Sequence, residues 1–336
     1  MAVVAHEILL RRRPEGLPVE NDFEFAERSL EDPQESQLLV KNLWLSVDPY
    51  MRGRMKDRKS YVAPFRIGEP LEGNAIGIVE KSASPAFREG EFVSHFAGWR
   101  DYALLEADNV SKIEPGLIPI QVYLGPLGGT GFTAYLGITK IARVQPGETV
   151  FVSGAAGAVG SIACQIAKIK GCRVVASAGS PEKVAWLRNE LGVDVAINYT
   201  EAASFAEALS AACPDGLDVY FDNVGGEQLD AAITVANNFA RFALCGMIAQ
   251  YNSENLPPGP AHIFQAISKR LTLQGFLVLD HWDLMPEFSA QMGAWIAENR
   301  VKWRETIVKG LERAPQAFLG LFRGDNVGKM LVDLTP

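Results

Sequence analysis

Between Glu148 and Ala178 the pattern of apolar positions changes period twice. Thr149 to Val152 is a short, largely apolar run of the Val/Phe type that suits a buried parallel strand. It opens into a tight glycine turn, Gly154-Ala155-Ala156-Gly157-Ala158-Val159-Gly160, after which small and aliphatic residues continue as a helix to Lys170, stopped by Gly171. A second run, Arg173 to Ser177, completes a strand–helix–strand unit.

The same alternation continues downstream. Val193–Asn198, Leu217–Asp222, Arg241–Gly246 and Leu271–Val278 read as further strands, with amphipathic segments such as Ala202–Cys213 and Gln228–Ala236 between them. This order predicts an α/β fold with a doubly wound parallel sheet. Upstream, short apolar or alternating runs at His6–Leu10, Gln37–Val47, Asn74–Glu80, Glu91–Phe96 and Arg100–Leu105 are separated by Pro- and Gly-bearing turns, which predicts a compact, mostly β domain. Inside it, Ser46 to Arg54 reads as a strand end running into a polar, Arg-rich loop. A helix over Gly125–Tyr135 leads from one region to the next. Past Asp283, a helix around Met285–Glu298 precedes Asp325–Val332, a β-like run that rejoins the first domain. The domains expected are therefore 1–125, 126–290 and a returning segment, 291–336.

Composition adds exclusions. At 336 residues, with 48% hydrophobic and 21% charged positions, the chain has the material for two well-buried cores. A net charge of −8 does not indicate a nucleic-acid partner. No run is long enough to span a bilayer, and Arg11 to Arg13 interrupt the N-terminal apolar stretch too early for a signal peptide, so a cytoplasmic protein is expected. Cys164, Cys172, Cys213 and Cys245 form no C-x-x-C pair and read as small buried hydrophobes. The four histidines are scattered, and no Cys/His/Glu cluster surrounds His95, so no metal site is expected.

The glycine turn carries the chemistry. Strand, glycine loop and helix in this order place a dinucleotide pyrophosphate against backbone N–H groups and the positive end of a helix dipole. The match to G-x-G-x-x-G is imperfect, because Ala155 stands at the first glycine position. At the end of the second strand the chain reads Ser177-Ala178-Gly179-Ser180-Pro181-Glu182-Lys183, with no carboxylate placed to accept from a ribose 2′-OH. Lys183, one turn into the next helix, supplies a cation for a 2′-phosphate, which favours NADPH over NADH. Ligands of such sheets sit beyond the C-terminal strand ends. Asn223, Cys245-Gly246, Tyr251 and Phe276-Leu277-Val278 fall there, although an ordinary core strand end explains the last three equally well.

With these residues in view, the chain resembles the zinc-free medium-chain dehydrogenases/reductases, in the branch of prostaglandin reductases, 2-alkenal reductases and NADPH-dependent curcumin reductases. The resemblance spans essentially the whole chain. It rests on Arg13-Pro14-Glu15-Gly16, Val47 to Arg52, Ala155 to Gly160, Phe221 to Gly226, Cys245 to Asn252, Gln274 to Val278 and Asn326 to Met330. It implies a Rossmann NADP-binding domain beside a GroES-like β domain, and commonly a homodimer. By the same resemblance, Gly157, Ala158, Val159 and Gly160 hold the pyrophosphate, while Lys183 and Tyr199 grip the 2′-phosphate. Asn223, Cys245, Gly246, Met247, Ile248, Ala249, Gln250, Tyr251, Phe276, Leu277, Val278 and Asn326 surround the ribose and nicotinamide. Where zinc-dependent relatives carry Gly-His-Glu, this chain reads Leu71-Glu72-Gly73-Asn74. Some plant members place a tyrosine after the Gly-Phe-Val-Val segment. Here that region reads Leu279-Asp280-His281-Trp282-Asp283, so Trp282 is expected to shape an apolar pocket instead.

A site with no metal Lewis acid suits reduction of a conjugated C=C bond better than alcohol oxidation. Hydride transfer from NADPH to the β-carbon of an α,β-unsaturated aldehyde or ketone builds enolate charge on the carbonyl oxygen, which needs a preorganised donor. Tyr50 is the first candidate, with Arg52 beside it in the substrate pocket. Tyr251 is the second catalytic tyrosine and is read as orienting the nicotinamide ribose. The competing reading of Tyr50 is a loop tyrosine packed on Arg52. A quinone oxidoreductase and a non-catalytic NADPH-binding sensor remain as alternatives.

Overall fold

A computed structural model describes residues 3–116, 118–255 and 257–336. The chain divides into two units: Met1–Leu124 with Glu305–Asn326 and Met330–Pro336, and Gly125–Arg304 with Val327–Lys329.

The first unit begins with an antiparallel ribbon of β1 (Val3–Leu10) and β2 (Phe23–Leu30). Its main sheet uses β3 (Gln37–Ser46), β4 (Ala75–Ser82), β5 (Phe92–His95), β6 (Tyr102–Glu106) and β7 (Ser111–Ile113). The segment read as a polar Arg-rich loop is instead a helical turn, α1 (Met51–Arg54), with Met51, Arg52 and Arg54 buried. Pairing makes that burial tolerable: Arg54 donates to Glu72 at 2.6 Å and to the Ala63 carbonyl at 2.9 Å, and its guanidinium lies 4.1 Å from the Phe65 ring centre.

The second unit is built on six parallel strands: β8 (Thr149–Val152), β9 (Arg173–Ala178), β10 (Val195–Asn198), β11 (Leu217–Asp222), β12 (Ala236–Leu244) and β13 (Thr272–Gly275). Their order is β10-β9-β8-β11-β12-β13, with the direction of winding reversing between β8 and β11. The helices are α2 (Gly129–Leu136), α3 (Ala158–Ile169), α4 (Pro181–Asn189), α5 (Phe205–Ala212), α6 (Gly226–Val235), α7 (Gln265–Lys269) and α8 (Met285–Ala297). All four β8 side chains are buried, because helices cover both faces of a parallel sheet. In its core Phe151 stacks on Tyr220 with ring centres 4.9 Å apart, and Phe242 meets Tyr220 edge-on at 5.3 Å.

The chain then returns to the first unit through β14 (Glu305–Lys309), α9 (Ala314–Arg323) and β15 (Lys329–Asp333). β15 pairs antiparallel with β3, and Phe318 of α9 packs edge-on against Trp99 and Phe23 in the first unit's core.

Two expected strands are corrected. The sixth strand ends at Gly275, so Phe276 and Leu277 lie beyond it and Val278 opens a 3₁₀ turn reaching Leu284. The fifth begins at Ala236 and stops at Leu244, which leaves Cys245 and Gly246 in the following loop.

Candidate active site

At the C-terminal end of β8 the chain turns at Gly154, whose φ of +57° disfavours any residue with a Cβ. The positive φ lies one residue before the motif's first glycine position, so Ala155 fits there. It is fully buried and donates its N–H to the Ser177 carbonyl at 2.9 Å. Gly157 caps α3 without a side-chain hydrogen bond, and the first-turn N–H groups of α3 have no partner within the helix. A Cβ on Gly160 would stand 2.5 Å from the Gly154 oxygen and 2.8 Å from the Ala155 Cα, so only glycine lets α3 lie this close to the loop. The return segment lies on the same loop, since Gly157 and Gly328 form a parallel bridge.

The switch point between β8 and β11 is held by a buried carboxylate. Asp222 Oδ1 accepts from Tyr220 Oη at 2.7 Å, Ser153 Oγ at 3.2 Å, and the backbone N–H groups of Val224 and Gly225 at 2.9 Å and 2.8 Å. Asn223 donates its side-chain amide to the Ser153 carbonyl at 2.8 Å, and its own N–H reaches Ser153 Oγ at 2.9 Å. The Asp222 carbonyl accepts from Cys245 and Gly246, while Ile248 and Ala249 donate to the carbonyls of Asn223 and Val224. Met247 donates its N–H to Tyr251 Oη at 3.3 Å. Asn223 and the segment from Cys245 to Tyr251 are therefore one hydrogen-bonded assembly. Asp222, Ser153 and Tyr220, which organise it, were not among the candidates. An acid closing an apolar strand was the available signal.

At the neighbouring strand ends, Asn198 is in register with Ala178, and Tyr199 donates its N–H to the Ala178 carbonyl at 3.1 Å. Ser180 caps α4 by accepting from the Lys183 N–H at 3.3 Å, which fixes Lys183 in the first turn. Lys183 and Tyr199 thus rise from adjacent strand ends, and Glu182 is exposed on the helix. Phe276 meets Phe221 edge-on at 6.2 Å. Trp282, 59% exposed, meets Phe132 edge-on at 6.1 Å.

Tyr50 and Arg52 belong to the first unit. The Tyr50 hydroxyl is buried and has no hydrogen-bond partner among the described residues. Burial, reinforced by the charge of Asp48, pushes its pKa well above the usual phenol range, so it stays a donor. Arg52 is only 1% exposed and donates to the Gly16 carbonyl at 2.6 Å and the Pro14 carbonyl at 3.4 Å. It fastens the Arg13–Gly16 turn, the geometry of a structural cross-link.

These features fit a dinucleotide: an uncapped helix N-terminus behind a loop that a side chain at 160 would fill, and no carboxylate at the β9 end. Comparison with known proteins agrees. Residues 6–113 match a family described as the N-terminal domain of oxidoreductase, and residues 158–297 one described as zinc-binding dehydrogenase. The NADPH-dependent curcumin reductase of Escherichia coli is 41% identical, over 96% of this chain and 95% of its own. The NADP(+)-dependent 2-alkenal reductase of Nicotiana tabacum is 42% identical, over 97% and 96%. The chain belongs to the medium-chain dehydrogenase/reductase family. The crystal structure of CurA from Vibrio vulnificus in complex with NADPH superposes with a TM-score of 0.93 at 41% identity, covering 98% of this enzyme and 99% of that chain.

The second family's description mentions zinc, but the Leu71–Asn74 stretch, which lies in the first matched region, carries no histidine. Glu72 is ion-paired with Arg54, and a Cβ on Gly73 would overlap the Met51 side chain. His95 is buried, accepts from the Ala97 N–H and pairs with Asn42 Oδ1 at 2.8 Å. Burial, with the nearby Arg100 cation, pushes its pKa down to about 3, so it is a neutral structural imidazole. Among the described residues no group of three or more His, Cys, Asp or Glu could hold a metal ion.

Proposed function

We propose that this oxidoreductase uses NADPH to reduce the conjugated C=C bond of α,β-unsaturated aldehydes and ketones. The names of its relatives support the substrate class, and the run from Ser177 to Pro181 at the β9 end, which contains no Asp or Glu, together with Lys183 in the following helix, supports the cofactor. Gly157 to Gly160 would hold the pyrophosphate, and Asn223, Cys245 to Tyr251, Phe276 to Val278 and Asn326 the ribose and nicotinamide. When bound, the cofactor supplies a hydride to the β-carbon. The chain's contribution is to orient and to donate. The observation that carries the reading is Tyr50, a buried phenol kept protonated and without an acceptor among the described residues, suited to stabilise a carbonyl oxygen as enolate charge develops. Tyr251, tied to the Met247 N–H, orients the ribose side.

The test is Tyr50→Phe. Losing one oxyanion donor lowers turnover on an enone about a hundredfold, with NADPH affinity unchanged. Unaltered turnover removes Tyr50 from the mechanism.

A homodimer and a cytoplasmic setting belong to the same proposal. β13 is the terminal strand of its sheet with mostly exposed residues, an edge open to pairing with a second copy. The four cysteines are free thiols, as a reducing compartment would keep them. Light scattering of the purified protein gives the oligomeric state.

A further inference from the structure

Tyr199 is the exposed half of the proposed 2′-phosphate grip, and a side chain that is 44% exposed is not held by core packing. Its backbone is fixed by the bond to Ala178 and by the β10–β9 register. Its ring is placed by a neighbour with no side chain. A Cβ on Gly179 would stand 2.5 Å from Tyr199 Oη, 2.8 Å from Cζ and 3.4 Å from Cε1, so the ring lies directly on the Gly179 backbone. Gly179 does not have a φ in the left-handed range, so backbone conformation does not demand glycine here. The only demand is space for the ring.

The surroundings hold this turn in place. Thr200 Oγ1 donates to Asn198 Oδ1 at 2.8 Å and lies 3.4 Å from the Gly179 carbonyl oxygen. Asn198 Oδ1 also accepts from the Thr200 N–H at 3.2 Å, which ties this turn to the end of β10. Ser180, next in the chain, caps α4, whose N-terminus adds a favourable field for an anion.

We infer that Gly179 is a specificity-determining position for the cofactor: by lacking a side chain it lets the Tyr199 ring lie against the β9–α4 turn, which aims the hydroxyl at the 2′-phosphate. Gly179 acts through Tyr199 and is a positioning residue. The inference rests on the reading of Lys183 and Tyr199 as the 2′-phosphate grip. Because the collision in Gly179→Ala is with the far end of a half-exposed side chain, the ring swings aside and the fold survives.

The test is direct binding of NADPH and NADH by titration calorimetry on the full chain, with urea midpoints as a fold control. Gly179→Ala should weaken NADPH about tenfold, the size of one charge-assisted hydrogen bond, leaving NADH affinity and the urea midpoint unchanged. In a Tyr199→Ala background the same substitution should do nothing further, since the two act as one unit. Equal weakening of both nucleotides, a loss that persists without Tyr199, or no change in the NADPH/NADH ratio would each overturn the inference. If Tyr199→Ala alone leaves that ratio intact, the grip is elsewhere and the inference falls with it. A wild-type chain that does not prefer NADPH at all would instead overturn the cofactor reading itself.

Discussion

The backbone N–H of Gly328 donates to the carbonyl oxygen of Ala156 at 2.8 Å, joining the returning segment to the glycine loop across about half of the chain's length. Gly328 has a φ of +70°, and a Cβ there would overlap the Arg304 carbonyl oxygen, which itself accepts from the Lys329 N–H at 3.0 Å. The clash is with backbone that cannot swing away. Gly328→Ala should cost about 1–3 kcal/mol from φ strain alone, lower the urea midpoint and weaken NADPH binding together. A variant with wild-type affinity would show that this bridge does not support the loop.

Asp222 ties the end of β8 to the end of β11 and the turn after it through one buried carboxylate, and holds the loop after β12 through its backbone carbonyl. Removing the carboxylate in Asp222→Ala strands two backbone N–H groups and takes an acceptor from two hydroxyls, at an expected cost of about 2–5 kcal/mol, whereas Asp222→Asn keeps an acceptor and should lose much less. Burial pushes the Asp222 pKa up, against smaller opposing effects of its hydrogen-bond donors. The native state then holds a proton that the unfolded chain releases near the ordinary carboxylate value. Stability should therefore fall as pH rises from that value through the raised one. Urea titrations of wild type and Asp222→Asn at several pH values check this, since the asparagine variant lacks that slope.

His6 follows the same direction in a higher pH window. Its ring pairs with Asp101 at 2.7 Å and lies 3.7 Å from Glu27, and the Asp101 hydrogen bond raises its pKa despite some desolvation. A raised histidine stabilises the fold fully below its unfolded value and loses that contribution as pH rises through the folded one. His6→Gln should lower the melting temperature more at about pH 5.5 than at about pH 8.5. Equal losses at both would rule out a charged pair.

The parallel sheet was legible because strands buried on both faces leave continuous apolar runs, and Thr149–Val152 and Leu217–Asp222 match the observed strands. β2 was not legible: in Phe23–Leu30 only Phe23 is buried, so the ribbon strand shows no apolar alternation. The helical turn at Met51–Arg54 was hidden because its arginines read as solvated until Glu72, Phe65 and distant carbonyls are brought to them. The candidates Asn223, Cys245 and Tyr251 followed from strand order. The Asp222 network that fixes them depends on contacts between Ser153 and Tyr220, residues far apart in sequence and joined only by the fold.

The most direct test of the central claim is NADPH consumption, followed by its absorbance, with a medium-chain 2-alkenal, a cyclic enone and a small quinone in parallel and NADH as control. The account predicts rapid turnover of the alkenal or the enone with NADPH and little with NADH. Turnover of the quinone alone would contradict it in favour of a quinone reductase, and tight NADPH binding with no turnover would contradict it in favour of a non-catalytic sensor.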